Sequence, residues 1–404
     1  MKLKKAIAVM LSLVFMTGCK SISTDKNKVE DEFKGKVTVW VDKQNIEALK
    51  HSSENYKKIH SNVTVNLIEV EKYDLSSKEN LPDIICVEDE EVQALVAKFS
   101  KSFENTSSYV KKENYLKYKI ENLTFQNNVY GVPFNTKPAL MVYRADLLQA
   151  VNLNPEYIKT WADFIESGKV LKNNNKYMTA MTLENEKIYR AFLNQLGESY
   201  YDSDKKVLLN SSNTIKALEI LKRIYNSGIA QSINSNEEMI NLITEGKIAS
   251  AIVTPEELKQ LLEKDAQISG KLKVMKLPAF EEGGNQSMYL GGSNLLILSS
   301  SENKKTALDF AKYMTENKDN VASLMKNQGR FPAYTYYYDE KWFRKEVLSV
   351  YSELAENIHN INYTENFSKV VKPSKDAFSA IVLKGQDIKI TLDDLQKNLS
   401  ILNE

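Results

Sequence analysis

The sequence predicts an α/β fold in two lobes, each a mostly parallel sheet flanked by helices. At 404 residues and 42% hydrophobic, the chain is long for one core and carries apolar material for two. Its first ninety residues run strand, helix, strand, strand, the order of an open parallel sheet with a right-handed crossover. The stretch YGVPFNTKPALMVY, residues 130–143, places two prolines in extended, apolar sequence. Proline removes a ladder donor, so this stretch points to element ends rather than to the interior of a central strand.

The N-terminus reads as an export segment. Lys2, Lys4 and Lys5 precede an apolar run over 6–16, cut off by Thr17, Gly18 and Cys19. As a helix that run spans only about 16 Å, against about 30 Å of bilayer core, which excludes a membrane span. FMTGC (15–19) resembles the bacterial lipobox, with Met16 where leucine is usual. That likeness implies that residues 1–19 are a signal peptide, that Cys19 is lipidated, and that the protein sits on the outer face of the cell membrane. Residues 20–34 are polar and aperiodic, and read as a flexible tether. Cys86 is then the only thiol of the mature chain; within PDIICV it reads as a buried small hydrophobe.

KVTVWV (36–41) is β-branched and apolar, a strand covered on both faces. A helix follows with Ile46, Leu49, Tyr56 and Ile59 on one face, then the alternating strand NVTVNLIEV (62–70) and the buried strand LPDIICV (81–87). Ligands of such sheets bind beyond the carboxyl ends of the strands, which singles out Trp40, Val41 and Asp42 after the first strand and Glu88 and Asp89 after the third. Glu88 and Asp89 suit a helix N-terminus equally well. Beyond residue 143 the texture turns helical, with TIKALEILKRIYNSG (214–228) showing its apolar face at Ile215, Leu218, Leu221 and Ile224 before a glycine stop. EEMINLITEGKIASAIVT passes from helix into a short buried strand; strands return at 272–278 and 291–299, and the C-terminal part is helical.

The landmarks GKVTVWV, LPDII, NNVYGVPF, VYRADLL with TWADF, ITEGKIASAIV, LPAF, GGSNLLILS and NQGRFPAY, in that order, resemble the maltose-binding-like extracellular solute-binding proteins of bacterial ABC importers. The resemblance implies the two-lobed periplasmic-binding-protein-like fold of type II, with three hinge crossings. It sets an N-lobe at 35–136 and 295–330 and a C-lobe at 137–294 and 331–404. YGVPFNTKPALMVY then becomes two strand ends joined by a strap at Asn135–Pro138, a segment built to bend at few points. The implied partners are a small solute, with mono- or oligosaccharide the leading class, and ABC permease subunits. The implied protein is a monomer with no cofactor, held to the membrane by its lipid alone. Strand-end logic and these landmarks together select Trp40, Asp42, Glu88, Asn135, Thr182, Thr254, Glu256, Gly292, Ser293 and Tyr334 as ligand contacts. Gly291–Asn294 reads equally as turn geometry.

Sugar-binding members commonly present tryptophans over the sugar rings, yet VTPEEL and NFSKVVKPSKD (366–376) contain none. Trp161 fits a packed helix start and Trp342 a surface helix. AYTYYYD (333–339) is the richest aromatic alternative, as ligand platform or as a seam under the C-terminal helices. Lys137 stands where sugar binders of this family often carry an acid.

Fifty-four basic against fifty-three acidic residues, a net charge of +1, give no reason to expect nucleic acid. His51, His60 and His359 show no pairing at ligand or catalytic spacing and read as solvated. GGSNL lacks the second glycine of a nucleophile elbow, and no phosphate loop, dinucleotide fingerprint or zinc pair occurs. Two alternatives stay open: a surface hydrolase using Asp42, Glu88 or Glu256 as paired acids, and a sensory or adhesive lipoprotein on the same fold.

Overall fold

The computed structural model describes residues 32–403 apart from 78, 183–185, 265–267, 269, 342 and 344. Cys19, the export segment, most of the expected tether and Trp342 lie outside the described residues. The chain opens with β1 (Gly35–Val41), α1 (Ile46–Ile59), β2 (Val63–Glu69), β3 (Ile84–Glu88), α2 (Asp89–Phe99) and α3 (Lys117–Leu123). A hairpin, β4 (Thr124–Phe125) and β5 (Asn128–Val129), leads to β6 (Val132–Pro138) and β7 (Leu140–Arg144). Then come α4 (Ala145–Ala150), α5 (Trp161–Asn173), β8 (Thr179–Met181), α6 (Glu186–Gln195), α7 (Ser212–Asn226) and β9 (Ala230–Ser232). They are followed by α8 (Asn236–Thr244), β10 (Ser250–Val253), α9 (Pro255–Lys264), β11 (Leu272–Met275) and β12 (Tyr289–Ile297). The chain closes with α10 (Lys304–Glu316), α11 (Lys318–Gln328), α12 (Glu346–Glu356), α13 (Phe367–Val382) and α14 (Ile388–Leu399).

Each lobe is built on one main sheet. The first has the order β2-β1-β3-β12-β6 and the second β10-β7-β11. β1 runs parallel to β2 and β3, as the βαβ start predicts. β12 runs antiparallel to β3 and β6, and β7 antiparallel to β10 and β11. Neither sheet is mostly parallel as expected: the first is mixed and the second wholly antiparallel. In the first, β12 returns from the far half of the chain, so no βαβ crossover fixes its direction.

Val37, Val39 and Val41 are fully buried while Thr38 and Trp40 between them are only half covered. The period of two also divides β7: Leu140 and Val142 join the core that holds Ile240, Ile243 and Leu258 of α8 and α9, Met141 the separate core built round Trp161 and Phe192. Trp161 packs, as the sequence suggests; it is fully buried against Phe164 and Phe192, and its Nε1 donates to Gln195 Oε1 at 2.9 Å. Thr160 caps α5 in a reciprocal box with Asp163.

The expected strap is itself strand. Residues 132–138 form β6, whose Pro133 and Pro138 stand opposite Asn294 and Tyr289 of β12. β6 is the sheet's edge, so the missing proline donors interrupt no second ladder. Phe33, at the end of the expected tether, lies edge-on to His60 at 5.0 Å. Two of the three histidines are not solvated as expected: His51 Nε2 meets Ser323 Oγ at 2.7 Å, and His60 lies 3.9 Å from Asp309. Cys86 is buried and unpaired. No helix among the described residues is long and apolar enough to cross a membrane.

Candidate functional site

The site begins where β1 and β3 end. Asp42 closes the turn after β1: its Oδ1 accepts from the main-chain N–H groups of Gln44 and Asn45 at 2.7 and 3.1 Å. This leaves Asn45, fully buried, to spread its amide over Asp42 Oδ2 (2.8 Å), Ser293 Oγ (3.0 Å) and Glu88 Oε1 (3.2 Å). Ser293 Oγ also donates to Glu88 Oε1 at 2.8 Å, and its N–H donates to Asn135 Oδ1 at 2.9 Å. Four expected contacts, Asp42, Glu88, Asn135 and Ser293, thus share one network whose connector, Asn45, sequence reasoning did not select.

Two connected cavities separate the lobes. The smaller is lined by Glu88, Asp89 and Glu90 on one side, by Lys187, Arg190, Asn194 and Glu198 on the other, and by Tyr200, Tyr289, Tyr363 and Phe367. The larger, open to solvent, is lined by Gln44, Lys137, Thr182, Lys187, Asn236, Thr254, Glu256, Glu257 and Arg330 among others. Lys187 and Leu290 line both. Thr182, Thr254 and Glu256 therefore face the larger cavity and Glu88 the smaller.

The remaining expected contacts stand elsewhere. Trp40 sits within β1 and packs on the sheet's core. Asn135, Gly292 and Ser293 are buried inside the crossing of β6 and β12. A side chain on Gly292 would come within 2.6 Å of Asn135 O, so this glycine serves close packing. Tyr334 lies in an aromatic seam with Tyr115 at 5.0 Å and Tyr337 at 5.5 Å. The seam is one of the two readings left open for AYTYYYD.

Two arginines tie the lobes together. Arg190 of α6 places Nη2 2.8 Å from Glu90 Oε2 and Nε 2.7 Å from Glu186 Oε1, and its guanidinium lies 5.0 Å from the Phe367 ring centre. Burial alone would raise the Glu90 carboxyl, but Arg190 and Lys187 outweigh it and hold that carboxyl low. Burial pushes the Glu186 carboxyl up despite Arg190. Arg330, after α11, donates to Gln44 O, to Asn45 Oδ1 at 3.2 Å and to Glu256 Oε1 at 3.4 Å, so it bridges the turn after β1 to the start of α9. Glu257 accepts from the Thr254 N–H at 2.7 Å and from Asn236, and burial raises its carboxyl.

Lys187, Arg190, Arg330, Tyr363 and Phe367 were not selected from sequence. A lone arginine inside the apolar IYRAFLNQLG, and another in NQGRFPAY, were the available signals. The site so assembled offers carboxylate and carboxamide acceptors, cationic donors and flat aromatic faces in a partly closed volume, the composition of a small-molecule binding cavity. Among the described residues no group of three His, Cys, Asp or Glu side chains stands close enough to hold a metal ion.

Comparison with known proteins bears on the family and the fold. Residues 52–348 match the family model described as bacterial extracellular solute-binding protein. The lactose-binding protein of Rhizobium radiobacter is 28% identical over 295 residues, 69% of this chain and 70% of that one. The arabinooligosaccharide-binding protein of Bacillus subtilis (strain 168) is 22% identical over 340 residues, 78% of this chain and 75% of that one. Among solved structures, the sugar-binding protein MalE of Xanthomonas citri superposes with a TM-score of 0.78 at 17% identity, covering 91% of this chain and 96% of that one. The lacto-N-biose-binding protein of Bifidobacterium longum gives 0.75 at 16% identity, covering 93% and 98%. These structural likenesses establish the two-lobed, MalE-like fold of type II, and the match over most of the chain places this protein in the family of bacterial extracellular solute-binding proteins.

Proposed function

We propose that the protein is a lipid-anchored receptor on the outer face of the membrane, which closes its lobes on a carbohydrate and hands it to an ABC permease. The observation that carries this reading is the cavity between the lobes, walled by Tyr363 and Phe367 and faced by Glu88, Glu90, Lys187 and Arg190. Sugar hydroxyls donate and accept at once, so a mixed set of carboxylates and cations satisfies them, while aromatic faces cover the apolar face of the ring. The curated relatives are named for lactose, arabinooligosaccharides and galactooligosaccharides, which supports the same ligand class here.

The way these acids are held supports binding without turnover. Glu88 accepts from Asn45 and Ser293, Glu90 pairs with Arg190, and Glu256 pairs with Arg330. These carboxylates act as fixed acceptors, and binding needs no tuned proton donor. Lobes that contact the solute together do so only when closed, so the ligand shifts the equilibrium toward closure. The protein acts as a monomer, anchored through Cys19. The test is a thermal-shift screen over lactose, arabino- and galactooligosaccharides, monosaccharides, polyols and small anions. A ligand at 100 times its dissociation constant stabilises by about 2.7 kcal/mol. A sugar is expected to register; a screen in which only non-sugars do so overturns the ligand class.

A further inference from the structure

One buried ion pair of the crossing region, whose Asp89 stands at the wall of the smaller cavity, has been given no role so far. Lys119, on α3, is fully buried, and its ammonium donates to Asp89 Oδ1 at 2.5 Å. Asp89 is 3% exposed and is the first residue of α2, immediately after Glu88. Its carboxylate also accepts from Asn294 Nδ2 at 2.6 Å, from Asn122 Nδ2 at 3.2 Å and from the Tyr289 hydroxyl. Four donors from α3 and β12 thus converge on one side chain.

The convergence falls where the sheet runs out. β12 pairs with β3 only from Ser293, opposite Glu88, onward, whereas it follows β6 from Tyr289. Residues 289–292 are therefore the overhang by which the chain passes from one lobe to the other. At its foot the pairing with β6 shifts register between Ser293 and Asn294. There the Ser293 N–H donates to Asn135 Oδ1 and its C=O accepts from Lys119 at 3.1 Å, so side chains bond both of its main-chain groups. Gly292 fits only without a side chain, since a Cβ would stand 2.9 Å from Asp89 Oδ2 and 3.0 Å from Lys119 Nζ. Burial draws the Lys119 ammonium down, and Asp89 works against that.

We propose that Asp89 and Lys119 are the positioning pair of the hinge. They replace the ladder that β3 no longer supplies, fix the foot of the crossing strand, and so set where Glu88 and Leu290–Gly291 stand in the cavity. A buried ion pair is a poor source of net stability, and an apolar or neutral replacement of similar volume is often neutral. Its value here is geometric: the pair defines one point about which β12 leaves the first lobe. Lys119 is fully buried, whereas Asp89 also lines the smaller cavity, so it is the scattering comparison without ligand that separates positioning from direct contact. This role rests on the solute-binding reading, but the hinge itself can be tested without ligand.

The experiment uses the full chain with Asp89→Asn, Lys119→Met and both together, because a single change strands one charge and can fail to fold. Melting curves establish that the double variant is folded. Small-angle scattering without sugar, and calorimetric titration with lactose, arabinotriose and galactobiose, give the two readouts. Expected are a measurably different unliganded radius of gyration for the double variant and at least a tenfold loss of affinity for whichever probe binds the unaltered protein. A double variant that has the parent's radius of gyration and binds within twofold overturns the positioning role, leaving the pair a packing feature. If no probe sugar binds the unaltered protein, the carbohydrate reading fails instead, and the scattering comparison alone decides the hinge.

Discussion

Replacing Arg190 with methionine tests whether the contact across the cavity is electrostatic. Methionine keeps the apolar stem over Phe367 and removes the cation shared by Glu186 and Glu90. Of those two acids, the Glu186 side chain is 6% exposed and the Glu90 side chain 33%. Glu90 can return to water, so the loss concentrates on Glu186. Breaking a buried pair costs about 3–5 kcal/mol, and with one acid partly solvated the low end, about 3 kcal/mol, is expected at pH 7.5. Burial already raises the Glu186 carboxyl, and without Arg190 it rises further. A carboxyl whose pKa is higher folded than unfolded favours the folded state at low pH and loses that contribution as pH rises through the folded value. Lowering the pH favours the protonated Glu186, so at pH 5 the deficit should be smaller than at pH 7.5, approaching about 1 kcal/mol, the scale of the lost cation–π contact. Urea unfolding of parent and variant at the two pH values measures this. Equal destabilisation at both, or none at pH 7.5, refutes an electrostatic origin.

Further outcomes follow from other contacts. The Glu257 carboxyl is raised by burial, partly offset by its bonds from Thr254; its stabilising contribution is lost as pH climbs from the unfolded value of about 4.3. Glu257→Gln should flatten the urea midpoint between pH 5 and 7.5, and an unchanged slope would contradict that. Gly292→Ala meets Asn135 O and the buried ion pair, so a loss of about 1–3 kcal/mol is expected, whereas Gly270→Ala, with nothing within 4 Å, should stay within about 0.5 kcal/mol. Chemical denaturation of the two side by side decides it. Cys19→Ala should leave the protein soluble or unprocessed in cell fractionation; an unaltered lipid-modified membrane product speaks against the anchor.

Much of the fold is written in local pattern. The β-branched run at 36–41, the apolar spacing of Ile46, Leu49 and Tyr56 and the capping pair Thr160–Asp163 each specify their element, and β1, α1 and α5 stand where those patterns put them. Ile59, expected on the same face of α1, is instead 57% exposed at the helix end. Strand direction is not local. Nothing within GGSNLLILS states that it runs against β3, because the partner lies two hundred residues away. The same distinction divides the site. Asp42 and Glu88 are legible as the ends of strands, while Arg190 reads only as a charge on an apolar helix until the fold brings Glu90 to it from 100 residues earlier. Asn45 was missed because its function is to join three acceptors from separate segments. Tyr334 and Trp40 show the converse: aromatic residues near a predicted site that the core claims instead.

The central claim is that the lobes close on a sugar held between them. Small-angle scattering of the protein with and without the sugar that most raises its melting temperature tests it most directly. A smaller radius of gyration at saturation is the predicted result; an unchanged radius, with binding confirmed by calorimetry, would contradict closure as the mechanism.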